Sequence, residues 1–130
     1  MGRANNLKRK LFLLLISVLL PSLLFACSSN GAKKIKVQEM ISFSKEIKDS
    51  AITITDSEKV KTIETAIREA KRQDGIADMS DPQYRIDIGK DSYYLWFHDD
   101  ESATIINSKD THTIFKINDA QNLRAIINNN

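Results

Sequence analysis

Three side chains with polar or aromatic character alternate along one predicted strand and could form a binding surface. In the segment Ser92–His98, successive side chains alternate between the two faces of the strand, so Tyr94, Trp96 and His98 share a face. If helices cover the other face, Tyr94 and Trp96 form an aromatic platform for a sugar ring, a peptide or another small ligand, because Tyr and Trp are favoured at binding sites. The alternative is that both faces are core and the Trp96 N–H is satisfied locally.

Four potential metal ligands follow one another in the segment His98-Asp99-Asp100-Glu101. A calcium loop needs oxygen ligands at EF-hand spacing and a glycine, both of which are absent here. Zinc favours spaced histidines held by secondary structure. We therefore interpret the segment as a solvated acidic turn and predict neither a metal site nor a cofactor.

The second histidine, His112, lies between Thr111 and Thr113 and meets His98 only if their strands pair. A hydroxyl and a histidine two residues apart become a nucleophile and its base only in a fold that brings them together. The chain has no Gly-x-Ser-x-Gly elbow and no His-Glu-x-x-His motif. We predict that the protein is not an enzyme and has no catalytic residue. A hydrolase is the less favoured alternative, and would need one of the histidines beside a hydroxyl or carboxylate in a cleft.

The elements that carry these residues follow from periodicity and turn signals. A capping box formed by Thr55 and Glu58 begins the clearest helix, which extends to Arg72, and Asn118 or Asp119 begins a last helix. Residues 72–82 are predicted to form a loop. Alternating or β-branched apolar residues predict strands at 33–43, 51–54, 84–88, 92–98, 103–107 and 112–117. The order β-β-α-β-β-β-β-α predicts an α+β domain with a mostly antiparallel sheet and its helices packed on one face.

A basic start and a short apolar run at the N-terminus are typical of a secretory signal. Four basic residues precede the apolar residues 11–20, and Pro21 and Ser22 then interrupt the run. The run is shorter than the ~20 apolar residues of a spanning helix. A cleaved signal peptide is therefore favoured over an uncleaved membrane anchor.

The end of this run, Leu24-Phe25-Ala26-Cys27, resembles the lipobox of bacterial lipoproteins, and Cys27 is the only cysteine of the chain. The resemblance implies that residues 1–26 are a cleaved signal peptide and that Cys27 is lipidated. Residues 27–33 are then the lipidated cysteine and a flexible tether, and residues 34–130 are a single domain. Two or more acyl chains give a stable membrane anchor without a spanning helix. The expected location is the outer, extracytoplasmic face of the cytoplasmic membrane.

Removal of the leader changes the charge balance of the chain. The whole chain has a net charge of +2, but the mature part keeps 15 basic and 17 acidic side chains, a net charge of −2. This balance gives no argument for nucleic acid binding. A lipidated Cys27 also leaves no thiol for a disulfide or a cysteine metal site.

Four segments of the mature chain resemble the YhfM-like domain, which occurs in small lipoproteins of Bacillus-type bacteria. They are Thr55–Arg72, Asp81–Tyr84, Tyr93–Phe97 and Asp110–Phe115. The resemblance covers about residues 50–127. It implies an extracytoplasmic, lipid-anchored domain of a Gram-positive cell and transfers no catalytic residue.

Two functions remain open for such a domain. The first is a monomeric protein-interaction or accessory module whose partner is a membrane-protein ectodomain or a cell-wall component. The alternative is a module that binds a small ligand or a cell-wall glycan through Tyr94 and Trp96, with His98 and His112 as further candidate ligand-binding residues.

Overall fold

A computed structural model of the chain describes residues 5–11, 33–75 and 79–130. The chain divides into two compact units, Met1–Gly31 and Ala32–Asn130. In the first unit, residues 5–11 form a short helix, α1. The segment that resembles a lipobox, with Cys27, lies outside the described residues, as does most of the predicted tether. Within the three described ranges, no helix is long and apolar enough to cross a membrane.

The described residues of the second unit form eight strands and two helices. The strands are β1 (Ile35–Ser42), β2 (Lys45–Glu46), β3 (Ile52–Ile54), β4 (Lys71–Gln73), β5 (Tyr84–Ile88), β6 (Asp91–Phe97), β7 (Ala103–Asn107) and β8 (Asp110–Ile117). Helix α2 (Ser57–Glu69) lies between β3 and β4, and helix α3 (Gln121–Asn128) follows β8.

The strands form one antiparallel sheet in the order β2-β1-β5-β6-β7-β8-β4, and β3 pairs with β1 as well. Strands β5 to β8 pair with their neighbours in chain order, which needs only short hairpin turns between them. Strand β1 closes on β5 with Ile35 opposite Ile88 and Glu39 opposite Tyr84. The predicted α+β class with a mostly antiparallel sheet is confirmed.

The main apolar core of the described residues lies between the helices and one face of the sheet. The sheet contributes alternate residues of its central strands, among them Ile86, Leu95 and Ile105, each at most 2 % exposed. The helices contribute Val60, Ile63, Leu123 and Ile127 to the same core. Both helices therefore pack on one face, as the sequence pattern predicts.

Helix α2 begins one residue later than the capping box predicts. Asp56 is the N-cap, and its carboxylate accepts hydrogen bonds from the backbone N–H groups of Glu58 and Lys59, at 3.1 and 3.0 Å. The assignment of Thr55 as the cap was wrong, because an aspartate carboxylate next to it competes successfully for the same donors.

Two short strands were not predicted from the sequence. Strand β4 lies within the region read as helix end and loop, and it pairs with β8 although its three side chains are exposed. Strand β2 has only two residues, both of them exposed and charged. Neither strand has an apolar alternation, because each lies at an edge of the sheet and buries no side chain in the core.

Candidate functional site

Of the two predicted platform residues, Trp96 is buried. Only 4 % of it is exposed. Its indole N–H donates to the backbone carbonyls of Ser80 and Asp81, at 3.0 and 3.1 Å, and the Phe43 ring lies 5.9 Å from it. This is the arrangement in which both faces of the sheet are core. The Trp96 ring is therefore not an accessible surface.

Tyr94 is half-buried beside the turn that joins β1 and β2. Its hydroxyl donates to the Phe43 carbonyl at 3.1 Å, and the two rings meet edge to face at 5.2 Å. The β1–β2 hairpin thus folds over the sheet face that the helices leave open. Tyr94 and Trp96 both serve to hold this hairpin.

The same hairpin carries an exposed apolar group, here called the hairpin cluster: Ile41, Phe43 and Ile47. These residues are 52 %, 38 % and 38 % exposed. In the ranges 33–75 and 79–130, they are the large apolar side chains that remain exposed. Single exposed apolar residues are ordinary on protein surfaces, but three of them on one short hairpin favour an interaction site.

His98 contacts a hydroxyl, as the hydrolase alternative would require. Its Nε2 atom lies 2.7 Å from Thr104 Oγ1 and shares a hydrogen bond with it. Thr104 is buried, and in the described part of the chain no third group hydrogen-bonds to the other imidazole nitrogen. The contact therefore lacks the orienting group of a catalytic triad. It holds β6 and β7 together at the end of the sheet.

His112 lies far from His98. His98 donates its backbone N–H to the Ser102 carbonyl, beside the pair Ala103–Ile117. His112 is exposed five residues from Ile117 along β8, which corresponds to roughly 16 Å of strand. Among the residues that the structure describes, no three His, Cys, Asp or Glu side chains form a group able to hold a metal ion.

A cleft of about 450 Å³ opens at the end of the helix-covered face, and we call it the end cleft. One wall is the β1–β2 hairpin, the other is helix α3, and the ends of β5 and β6 form its floor. Its lining residues are Glu39, Met40, Ile47, Gln83, Tyr84, Phe97, Asp99, Arg124 and Asn128. None of the candidate site residues predicted from the sequence lines this cleft.

Arg124 is the fixed cation of the end cleft. Its guanidinium lies over the Phe97 ring, 4.8 Å from the ring centroid, and one of its N–H groups donates to the His98 carbonyl at 2.7 Å. Cation–π stacking of this kind restrains the long arginine side chain. His98 thus restrains Arg124 through its backbone carbonyl but does not itself line the cleft.

Tyr84 lies in the floor of the end cleft, which is also lined by the oppositely charged Glu39 and Arg124. Burial raises the pKa of its hydroxyl, the Glu39 carboxylate raises it further, and the Arg124 guanidinium partly offsets both effects. Its ring packs edge to face on Phe97 at 5.8 Å. Glu39 and Arg124 are therefore both close enough to act on this hydroxyl.

The residues of the end cleft were missed because they are far apart in sequence. Glu39 belongs to β1, Tyr84 begins β5 and Arg124 lies in α3. The alternation of β6 placed Phe97 on the face opposite Tyr94 and Trp96, but it gave no sign that Arg124 of α3 lies over the Phe97 ring. The pairing of β1 with β5 sets Glu39 opposite Tyr84, and the packing of α3 brings Arg124 over Phe97.

Comparison with known proteins gives one match. A family model described as YhfM protein matches residues 33–130, which is more than half of the chain. No curated protein and no solved structure matches the chain.

Proposed function

The chain belongs to the YhfM protein family, and we propose that it is a lipid-anchored, extracytoplasmic module that binds a protein partner and is not an enzyme. The hairpin cluster is the single observation that carries this proposal. The anchor rests on the lipobox resemblance of Leu24-Phe25-Ala26-Cys27. A lipid on Cys27 would hold the domain at the outer face of the cytoplasmic membrane.

The hairpin cluster is held in a defined position and is not a loose loop. The Phe43 ring packs on the rings of Tyr94 and Trp96. Gln38 donates from its side-chain amide to the Ile47 carbonyl at 2.8 Å and to Ser50 Oγ at 2.6 Å. An apolar surface that is fixed before binding loses less conformational entropy when a partner covers it.

The position of the cluster in the fold favours a protein partner over the bilayer. The segment that would connect to Cys27 enters β1 at Ile35, whereas the cluster lies at the other end of this strand. Eight strand residues span roughly 26 Å. The cluster is therefore separated from the proposed anchored end of the domain by the length of β1. At this distance from the anchor, the ectodomain of a membrane protein could contact the cluster.

Site-specific photocrosslinking in intact cells tests the partner. A photoreactive amino acid replaces Ile41, the most exposed member of the cluster, and the same amino acid at exposed Thr111, at the start of β8, is the control. We expect one discrete protein adduct from position 41, absent from position 111 and lost when Ile47→Ser is added. Adducts to lipid alone, or equal adducts from both positions, would contradict a protein-binding role.

Radioactive fatty acid labelling tests the anchor separately. The wild-type precursor should incorporate label and mature to a shorter form, and Cys27→Ala should do neither. Equal labelling of both chains would refute lipidation at this cysteine. Because this result does not depend on the hairpin cluster, the anchor and the interaction can fail independently.

A further inference from the structure

The end cleft has a chemistry that an apolar protein contact does not use. We infer that it binds a small zwitterion of dipeptide size, with Arg124 holding its carboxylate and Glu39 its ammonium group. This inference does not rest on the proposed interaction through the hairpin cluster. The argument starts from two opposite charges that face one cleft without pairing.

Arg124 and Glu39 both line the end cleft, yet neither forms an ion pair within the described residues. The ion pairs there join Lys33 with Glu64, Arg85 with Glu46 and Asp87, Lys109 with Asp91, and Lys116 with Asp100. Opposite charges that share a cleft but remain apart leave room for a ligand that pairs with each of them. A ligand with one negative and one positive end satisfies both.

The arginine is prepared to receive a carboxylate. It uses one N–H group for the His98 carbonyl, and its other guanidinium donors make no hydrogen bond among the described residues. Stacking on Phe97 fixes the plane of that fork. A carboxylate accepts two parallel N–H bonds from such a fork, which gives direction as well as affinity.

The opposite wall selects for a positive group. The Glu39 side chain makes no hydrogen bond in the part of the chain that the structure describes, and Asp99 adds a second carboxylate to the lining. These two acids against one arginine disfavour a simple anion. Between the two charges, the Tyr84 hydroxyl can donate to or accept from a peptide group.

The size of the cleft fits this ligand class. Its volume of about 450 Å³ lies in the range of small-molecule sites. A second cavity of about 240 Å³ adjoins it and shares Glu39, Tyr84 and Asn128 with it. The apolar side chain of Ile47 also lines the cleft and offers a contact for a side chain of the ligand.

Nuclear magnetic resonance titration of the isotopically labelled full chain in detergent micelles tests the inference. The probe is L-alanyl-L-alanine. Two blocked forms accompany it: N-acetyl-L-alanyl-L-alanine, which lacks the ammonium group, and L-alanyl-L-alanine amide, which lacks the carboxylate. We expect the unblocked dipeptide to shift the backbone amide signals of Glu39, Tyr84 and Asn128, and each blocked form to bind at least roughly tenfold more weakly.

Variants assign the two ends of the ligand. Arg124→Gln should remove the preference for the free carboxylate, and Glu39→Gln the preference for the free amine. Lys109→Gln removes a positive charge at the distant β7–β8 turn and should leave binding unchanged. Glu39 is exposed and makes no side-chain hydrogen bond among the described residues, so its variant keeps the test valid even if Arg124→Gln disturbs the fold. Equal binding of blocked and free dipeptides, or no shift at the cleft of the folded chain, would overturn the inference.

Discussion

At the scale of single residues, Trp96 shows how burial decides between two interpretations of one pattern. Its ring is buried and its N–H donates to the Ser80 and Asp81 carbonyls. We expect Trp96→Ala to lower the free energy of unfolding by about 3–5 kcal/mol, because it removes a large buried ring. Trp96→Phe keeps most of the ring and loses the N–H donor, at about 1 kcal/mol. Urea unfolding followed by circular dichroism measures both, and a Trp96→Ala chain as stable as the wild type would instead indicate an open aromatic platform.

Another residue-scale prediction concerns Asp100. Its pKa is lowered, first because the Ser102 hydroxyl donates to its carboxylate and second because the Ser102 backbone N–H does so at 3.1 Å. A lowered pKa means that this turn is favoured above the ordinary aspartate pKa near 3.9 and that the contribution is lost as pH falls through the folded value.

Removing the hydroxyl should therefore raise the pKa of Asp100 toward its ordinary value. Ser102→Ala is the variant, and a carbon-detected carboxyl titration is the measurement. Asp110 is the internal control, since Thr113 lowers its pKa by a separate hydrogen bond. An unchanged Asp100 titration in Ser102→Ala would show that the hydroxyl is not the main cause.

At the scale of elements, the start of helix α2 can be tested by comparing neighbouring residues. The Asp56 carboxylate caps two backbone N–H groups, so Asp56→Ala should cost about 1 kcal/mol of unfolding free energy. Thr55 is exposed and makes no side-chain hydrogen bond among the described residues, so Thr55→Ala should change it little. Chemical denaturation of the two variants distinguishes them, and the reverse order would restore the capping box inferred from the sequence.

The elements also show which patterns were readable from sequence. Helix α2 and strands β5 to β8 have apolar residues at the period of their structure, and these elements were predicted. Strands β2 and β4 carry only exposed side chains, and their pairing depends on the neighbouring strand. Such strands have no side-chain period of their own, so no local pattern could have indicated them.

At the scale of the whole molecule, the fold was more predictable than the candidate site. The core residues can be predicted from the sequence, because burial imposes a periodic apolar pattern on every element that contributes to the core. The end cleft combines single residues of β1, β5 and α3, and no period marks them. The hairpin cluster was likewise hidden, because Ile41 and Phe43 fit the alternation of a half-buried strand although they are exposed in the structure.

The division of the chain into two units also indicates which fragment should fold by itself. The core residues of the described chain extend from Ile35 to Ile127 and lie within the unit Ala32–Asn130. We therefore expect the fragment 33–130 to unfold cooperatively, with the same thermal midpoint as the corresponding transition of the full chain.

A fragment that begins at Gln38 is the matched control. It lacks Ile35 and Val37, which are buried and pair with β3 and β5, and their loss removes roughly 3–6 kcal/mol of apolar burial. Differential scanning calorimetry should show a transition for the first fragment and none for the second. A fragment 33–130 without a cooperative transition would contradict the expectation that this unit folds without the preceding residues.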